Sequence, residues 1–277
     1  MKHVRRFYSL VSLSFFIIGA GVHEVLFARA LGLSRLLSYY LLQSLSNATE
    51  VLLCVLGIAV AQRGRPRPLR ELGLGAPVGR ALAFALLATL PMSLGFALVS
   101  RLNPQLTLGT IVVSTIIAPF AEEVLFRGYI FRQLYRRAGW PFWPAVLVPS
   151  ALFALLHVYQ ATTALELLGI LAVTGVGSIL LCWVFARWQD NLWAPFAIHA
   201  LMNFWWELFA IDDTALGGWY ANGARLATIA IGVLLTVFKD RVWPRLARED
   251  ANVAFATTPP GGAPGALATA SLAERAA

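Results

Sequence analysis

The stretch PFAEEVLFRGYIFRQLYRR, residues 119–137, sets two adjacent glutamates and an arginine inside a hydrophobic helix. The chain around it is apolar almost throughout. Of 277 residues, 58% are hydrophobic and 13% charged, with a mean hydropathy of +0.70, where an ordinary soluble domain carries about 25% charged residues. That composition excludes a soluble globular domain and predicts a polytopic membrane protein. The apolar runs are too long for barrel strands and lack period-2 alternation, so the spans are helices.

Eight spans are predicted, at about 7–28, 37–62, 81–100, 107–134, 142–160, 164–187, 191–210 and 222–238. The expected fold is an all-α membrane bundle whose fourth, fifth and seventh spans enclose an intramembrane polar cavity. Residues 1–248 form this polytopic domain, and 249–277 read as a low-complexity Ala/Gly/Pro tail, expected to be disordered and cytoplasmic. The N-terminal segment, with its basic start and ARA at 28–30, has a cleaved signal peptide as the competing reading. Its spanning length and the charge topology favour an uncleaved first helix.

The net charge of +8 is spread over short loops rather than gathered on one arm, so it argues for membrane topology and against a nucleic-acid partner. One set of loops holds Lys2, Arg5, Arg6, Arg63, Arg65, Arg67, Arg70, Arg80, Arg132, Arg136, Arg137, Arg187, Lys239, Arg241, Arg245 and Arg248. The opposite set holds only Arg29, Arg35, Arg101 and Arg225. This asymmetry predicts cytoplasmic termini, in a bacterial inner membrane, with Trp140, Trp143, Trp188, Trp193 and Trp243 at the inner boundary. Cys54 and Cys182 lie in apolar runs without metal or disulfide spacing.

A charge at the centre of a span costs about 2.5–3.5 kcal/mol on insertion scales, so each one calls for a reason. Glu123 and Arg127 stand one turn apart with the acid first, the favourable order for an ion pair. Glu122 points about 100° away around the helix, which leaves one carboxylate unpaired. Phe153 and His157 share a face in SALFALLHVYQ, as do His199 and Asn203 in WAPFAIHALMNFWW. Taken singly, each has a structural explanation as an ion pair or interhelical hydrogen bond. Together they reach similar depth: Glu122 and His157 each lie about 22 Å along their helices from the basic end, and His199 and Asn203 about 12 and 18 Å. One shared site is therefore expected. A carboxylate beside a histidine can activate water, while a second His and an Asn can donate to an oxyanion, which together suit amide hydrolysis.

These three pairings, with the RGYIFRQL continuation, resemble the CPBP (CaaX protease and bacteriocin-processing, or Abi) family of intramembrane proteases. Its pattern runs EExxxR, FxxxH, then HxxxN or HxxxB. The resemblance covers about 80–210. It implies that Glu122 and His157 activate the attacking water, that His199 and Asn203 stabilise the tetrahedral oxyanion, and that Glu123, Arg127 and Phe153 support them. No cofactor is favoured, although Glu122, His157 and His199 are also a conceivable His/His/Glu zinc set. Glu50, about 20 Å into its span, is expected as a supporting residue. HEVLF at 23–27 lacks the second histidine of HExxH, and the NAT sequon at Asn47 falls within a span. The expected substrate is a membrane-associated or lipidated peptide met in the bilayer. The alternatives are a catalytically silent scaffold or immunity protein of the same fold and, from another class, a proton- or ion-coupled transporter. The repeated halves of a transporter are not found in the sequence.

Overall fold

Every one of the eight apolar runs becomes helix. The computed structural model describes residues 2–33, 39–62, 67–212 and 214–243, with the backbone alone at 2 and 22–33. Arg35, Arg63, Arg65, Arg245, Arg248, the side chains of Lys2, His23, Glu24 and Arg29, and the 249–277 tail lie outside what is described. The helices are α1 (Lys2–Leu33), α2 (Tyr39–Ala61), the short α3 (Pro68–Glu71), α4 (Val78–Ala88) and α5 (Leu90–Val99). They continue as α6 (Leu108–Arg137), α7 (Phe142–Leu155), α8 (Ala164–Arg187), α9 (Trp193–Leu208) and α10 (Trp219–Val237). Among the described residues six helices are long and apolar enough to cross a membrane, and α4 with α5 makes a seventh. The remaining run, α9, has 16 residues, about 24 Å at 1.5 Å per residue, short of a hydrocarbon core of about 30 Å.

The predicted third span is bent by 42° where α4 meets α5. Pro91 has no N–H for the carbonyl one turn back, and a proline at that place breaks the helical ladder. Thr89 fills the corner: its Oγ1 donates to Ala85 O at 2.8 Å and accepts from Trp205 Nε1 at 3.1 Å, which ties the bend to α9.

α6 is the central element and packs against α1, α2, α7, α8 and α9. All eight residues from Val124 to Phe131 are buried, so this stretch has no polar face and none is needed. Phe126 meets Phe16 of α1 and Phe153 of α7 edge to face, with ring centroids 5.3 and 4.9 Å apart. Tyr129 lies under Gly57 of α2, where a β-carbon would meet its Oη and sit 2.8 Å from its Cζ.

The Arg-rich loops gather at one end of the bundle. Glu71 takes hydrogen bonds from Arg132, at 2.8 Å, and from Arg137; Asp190 pairs with Arg132 at 3.2 Å and Arg136 at 3.1 Å. Burial alone would raise the Glu71 carboxyl, but the Arg137 hydrogen bond and the charges of both arginines outweigh it and hold it below its ordinary value. Gly73 has φ +76° and lies against the Asp190 carbonyl, an approach and a conformation that favour glycine. Its own carbonyl accepts from Leu192 N, and Trp193 Nε1 donates to Leu74 O at 3.0 Å. The basic end of α6 is thereby fixed to the start of α9.

At the opposite end an isolated bridge joins Leu102 to Phe209, and Asn103 binds the last carbonyls of α9. Cavities of about 320 Å³, lined by residues including Ser100, Asp212 and Tyr220, and about 380 Å³, lined by residues including His3, Tyr8 and Gln62, lie at the two ends, and none of the motif residues lines them. A second unit runs from Val237; its described part is the helix Lys239–Val242 and the residues flanking it.

Candidate active site

The carboxylates enter from α6, whose backbone changes register around them. Val113–Ile117 is π-helical, Ala118–Glu123 α-helical, and Val124–Phe131 π-helical again. Short π-segments inside helices are frequent at functional sites. Glu122 and Glu123 share the α-helical piece, so the expected divergence of about 100° between them holds.

The two glutamates have different surroundings. Glu123 is fully buried; its Oε1 accepts from Arg127 Nη1 at 2.9 Å and from His199 Nδ1 at 2.8 Å. Glu122 keeps a side chain 30% exposed, and its Oε2 lies 3.8 Å from His199 Nε2. His199 thus has one ring nitrogen on the buried acid, and the other turned toward the open one. Since a carboxylate only accepts, Nδ1 carries the proton of this contact, and Nε2 is the nitrogen left for the open side.

Arg127 is also fully buried. Its guanidinium carbon lies 4.9 Å from the centre of the Phe153 ring, which also meets the His157 imidazole at 4.4 Å between centroids. Phe153 therefore spaces the cation from the histidine while offering the cation an aromatic face. His199 meets the same phenyl ring edge-on at 6.4 Å. Beyond Arg127 lie Cys182 and Ser150. Glu123 Oε2 is buried without a hydrogen-bond partner among the described residues.

His157 departs from the sequence expectation. Its predicted helix ran to residue 160, but α7 stops at Leu155, and His157 (φ −101°, ψ 0°) begins a 3₁₀ turn, Val158–Gln160. The end of a helix leaves carbonyls without intrahelical donors. His157 Nδ1 donates to one of them, Phe153 O, at 2.7 Å. That bond fixes the ring and leaves Nε2 as its outward nitrogen.

Asn203 lies one turn beyond His199, and its Nδ2 donates to the Ser114 carbonyl of α6 at 3.2 Å. Glu50 is buried on α2, the helix that lies against Ala118–Glu123. Direct contacts thus join Glu122, Glu123, Arg127, Phe153, His157 and His199, with Asn203 tied to the helix that carries the acids. Among the described residues no three His, Cys, Asp or Glu side chains are grouped so as to hold a metal ion. Sequence reasoning missed Ser114, Ser150 and Cys182, which carry no spacing signal of their own.

The comparisons with known proteins fall on this same part of the chain. A family model described as "Type II CAAX prenyl endopeptidase Rce1-like" matches residues 103–205. A Bacillus subtilis (strain 168) protein named "Putative membrane peptidase YdiL" is 32% identical over 93 residues, 34% of each chain. The match thus spans about a third of that relative's length. No solved structure matches. Residues 103–205, which carry all three motifs, are thus similar to membrane proteases of the type II CAAX prenyl endopeptidase kind.

Proposed function

We propose that the protein is an intramembrane endopeptidase in which Glu122 and His157 activate a water molecule and His199 and Asn203 receive the oxyanion. The observation that carries this reading is the division of labour between the glutamates. Glu123 is buried and committed to Arg127 and His199, whereas Glu122 is part-exposed and faces His199 Nε2.

Water attacks the scissile carbonyl as Glu122, assisted by His157, accepts the proton. The negative charge that develops on the carbonyl oxygen needs donors already in place. A protonated His199, held through Nδ1–H by Glu123, presents Nε2–H; Asn203 has a second amide N–H beyond the one given to Ser114. The proton then returns to the leaving amine as the tetrahedral intermediate collapses. Neither a serine nor a cysteine nucleophile is required.

The substrate class is a membrane-associated peptide, and the family description makes a lipidated C-terminus the first to try. The protein would lie in a bacterial inner membrane with both termini cytoplasmic. The test is cleavage of lipidated and unlipidated membrane peptides by the wild type, Glu122→Ala and His157→Ala in liposomes. Loss of at least about 100-fold in kcat is expected for each folded variant; undiminished cleavage by either would sink the assignment. Metal content and zinc add-back, measured in parallel, decide whether the reaction is metal-dependent.

A further inference from the structure

The π-helical turn Val113–Ile117 in α6 is followed at once by Pro119, in the first turn of the α-helical piece. Within that turn Ala118 N–H donates to Val113 O, five residues back. The next bond in this register would run from residue 119 to Ser114 O, and proline has no N–H to give. A carbonyl turned from water without a donor is costly, and Ser114 is part-buried. Ser114 O receives one from outside the helix, Asn203 Nδ2 at 3.2 Å. Thr115, the next residue, turns its own Oγ1 back to Ile111 O at 2.6 Å.

We propose that Asn203 is a positioning residue as well as an oxyanion donor: its amide supplies the hydrogen bond that Pro119 withholds from Ser114, and so locks α9 to the α6 segment carrying Glu122 and Glu123. The inference deepens the peptidase reading above and rests on it for its catalytic consequence. Three features argue for it. Asn203 stands one turn after His199, so an anchor there restrains the segment that holds the imidazole. Pro119 stands three residues before Glu122, so the carbonyl its ring leaves without a donor lies in the turn just before both carboxylates. The amide also suits both tasks, because its two N–H bonds can hold Ser114 O and keep one for the site. A hydroxyl has a single hydrogen and a carboxylate none.

Pro119→Ala restores a backbone N–H at the place where Ser114 O lacks one, so it should make the anchoring half of Asn203 redundant. The experiment is a double-mutant cycle on the full chain, with peptide-cleavage kcat and KM and the unfolding midpoint in detergent as readouts. Asn203→Ala is expected to lower kcat by about 100-fold or more, with KM little changed, and to lower the midpoint. Pro119→Ala alone keeps kcat within about threefold of wild type. Pro119→Ala/Asn203→Ala recovers at least about tenfold of the lost kcat and most of the lost midpoint, leaving the deficit of the oxyanion donor. A double variant no faster and no more stable than Asn203→Ala overturns the proposal. If Pro119→Ala does not fold, Asn203→Asp serves instead: it keeps the side-chain size without the N–H, and a midpoint equal to wild type overturns the anchor. If the wild type cleaves no peptide, the peptidase reading fails, while recovery or non-recovery of the midpoint still decides whether Asn203 substitutes for the proline.

Discussion

Replacing Arg127 by methionine should be among the most destabilising single changes in the molecule. Arg127 and Glu123 are both fully buried, and their contact is 2.9 Å. Methionine keeps much of the arginine stem's volume, so the cavity left behind is small and the electrostatic loss dominates. Glu123 would then hold its charge away from water with His199 as its one remaining partner, because its Oε2 has none. Breaking a buried pair in this way costs about 3–5 kcal/mol. Losing the guanidinium over Phe153, at 4.9 Å, adds about 1 kcal/mol. The partner change makes the reasoning testable. In Glu123→Gln/Arg127→Met both charges are gone, and the glutamine Oε1 can still accept from His199 Nδ1. The double variant should lie within about 1–2 kcal/mol of wild type. The assay is reversible denaturant unfolding in mild detergent micelles near neutral pH. An Arg127→Met protein within about 1 kcal/mol of wild type, or a double variant no more stable than the single, would refute the claim that this pair stands on mutual neutralisation.

Two further outcomes test the frame that holds the site. Gly57→Ala places a β-carbon against the Tyr129 ring and 3.0 Å from Phe15 Cβ; Tyr129 is buried and cannot yield, so a loss of about 1–3 kcal/mol is expected in the same unfolding assay. Glu71 is held below its ordinary value because its arginine partners outweigh its burial, so its contribution is complete above the unfolded carboxylate value, about 4.3, and disappears as pH falls through the lower folded value. Thermal midpoints followed toward acid pH should therefore fall in the wild type with a component that Glu71→Gln lacks, and matching acid limbs in the two proteins would contradict the assignment.

The membrane fold was legible because it rests on composition and run length, which packing cannot reverse. The grouping of the motifs was legible for a related reason, since a charge or imidazole inside an apolar run needs polar company. What stayed hidden depends on groups far apart in the chain. The π register of Val113–Ile117 and Val124–Phe131 follows from burial on every side and from Pro119, and no local periodicity announces it. His157 was read as mid-helix because its flanks are apolar; its ring capping the Phe153 carbonyl is a feature of a helix end that apolar residues do not mark. The bend before Pro91 was readable from the proline itself, yet continuous hydropathy concealed it. Glu71 carries no signal among the arginines of its own loop, because the arginines that bury its charge arrive from α6, more than sixty residues later.

The adjacent glutamates show why a site of this kind needs the surrounding bundle. Side by side in one helix, they are chemically identical, and two carboxylates facing the same desolvated space would compete for one proton. Here α6 turns Glu123 into the core, where Arg127 and His199 share one of its oxygens, and leaves Glu122 at a part-exposed edge. The buried acid sets which nitrogen of His199 is free, and that nitrogen faces the exposed acid. Arg127 in turn lies on Phe153, which lies on His157. A change of charge at Glu123 therefore acts on His199 directly and on the Arg127 that packs over Phe153, while a change at Glu122 meets His199 from its other nitrogen. The two positions are consequently not interchangeable, although the sequence writes them with the same letter.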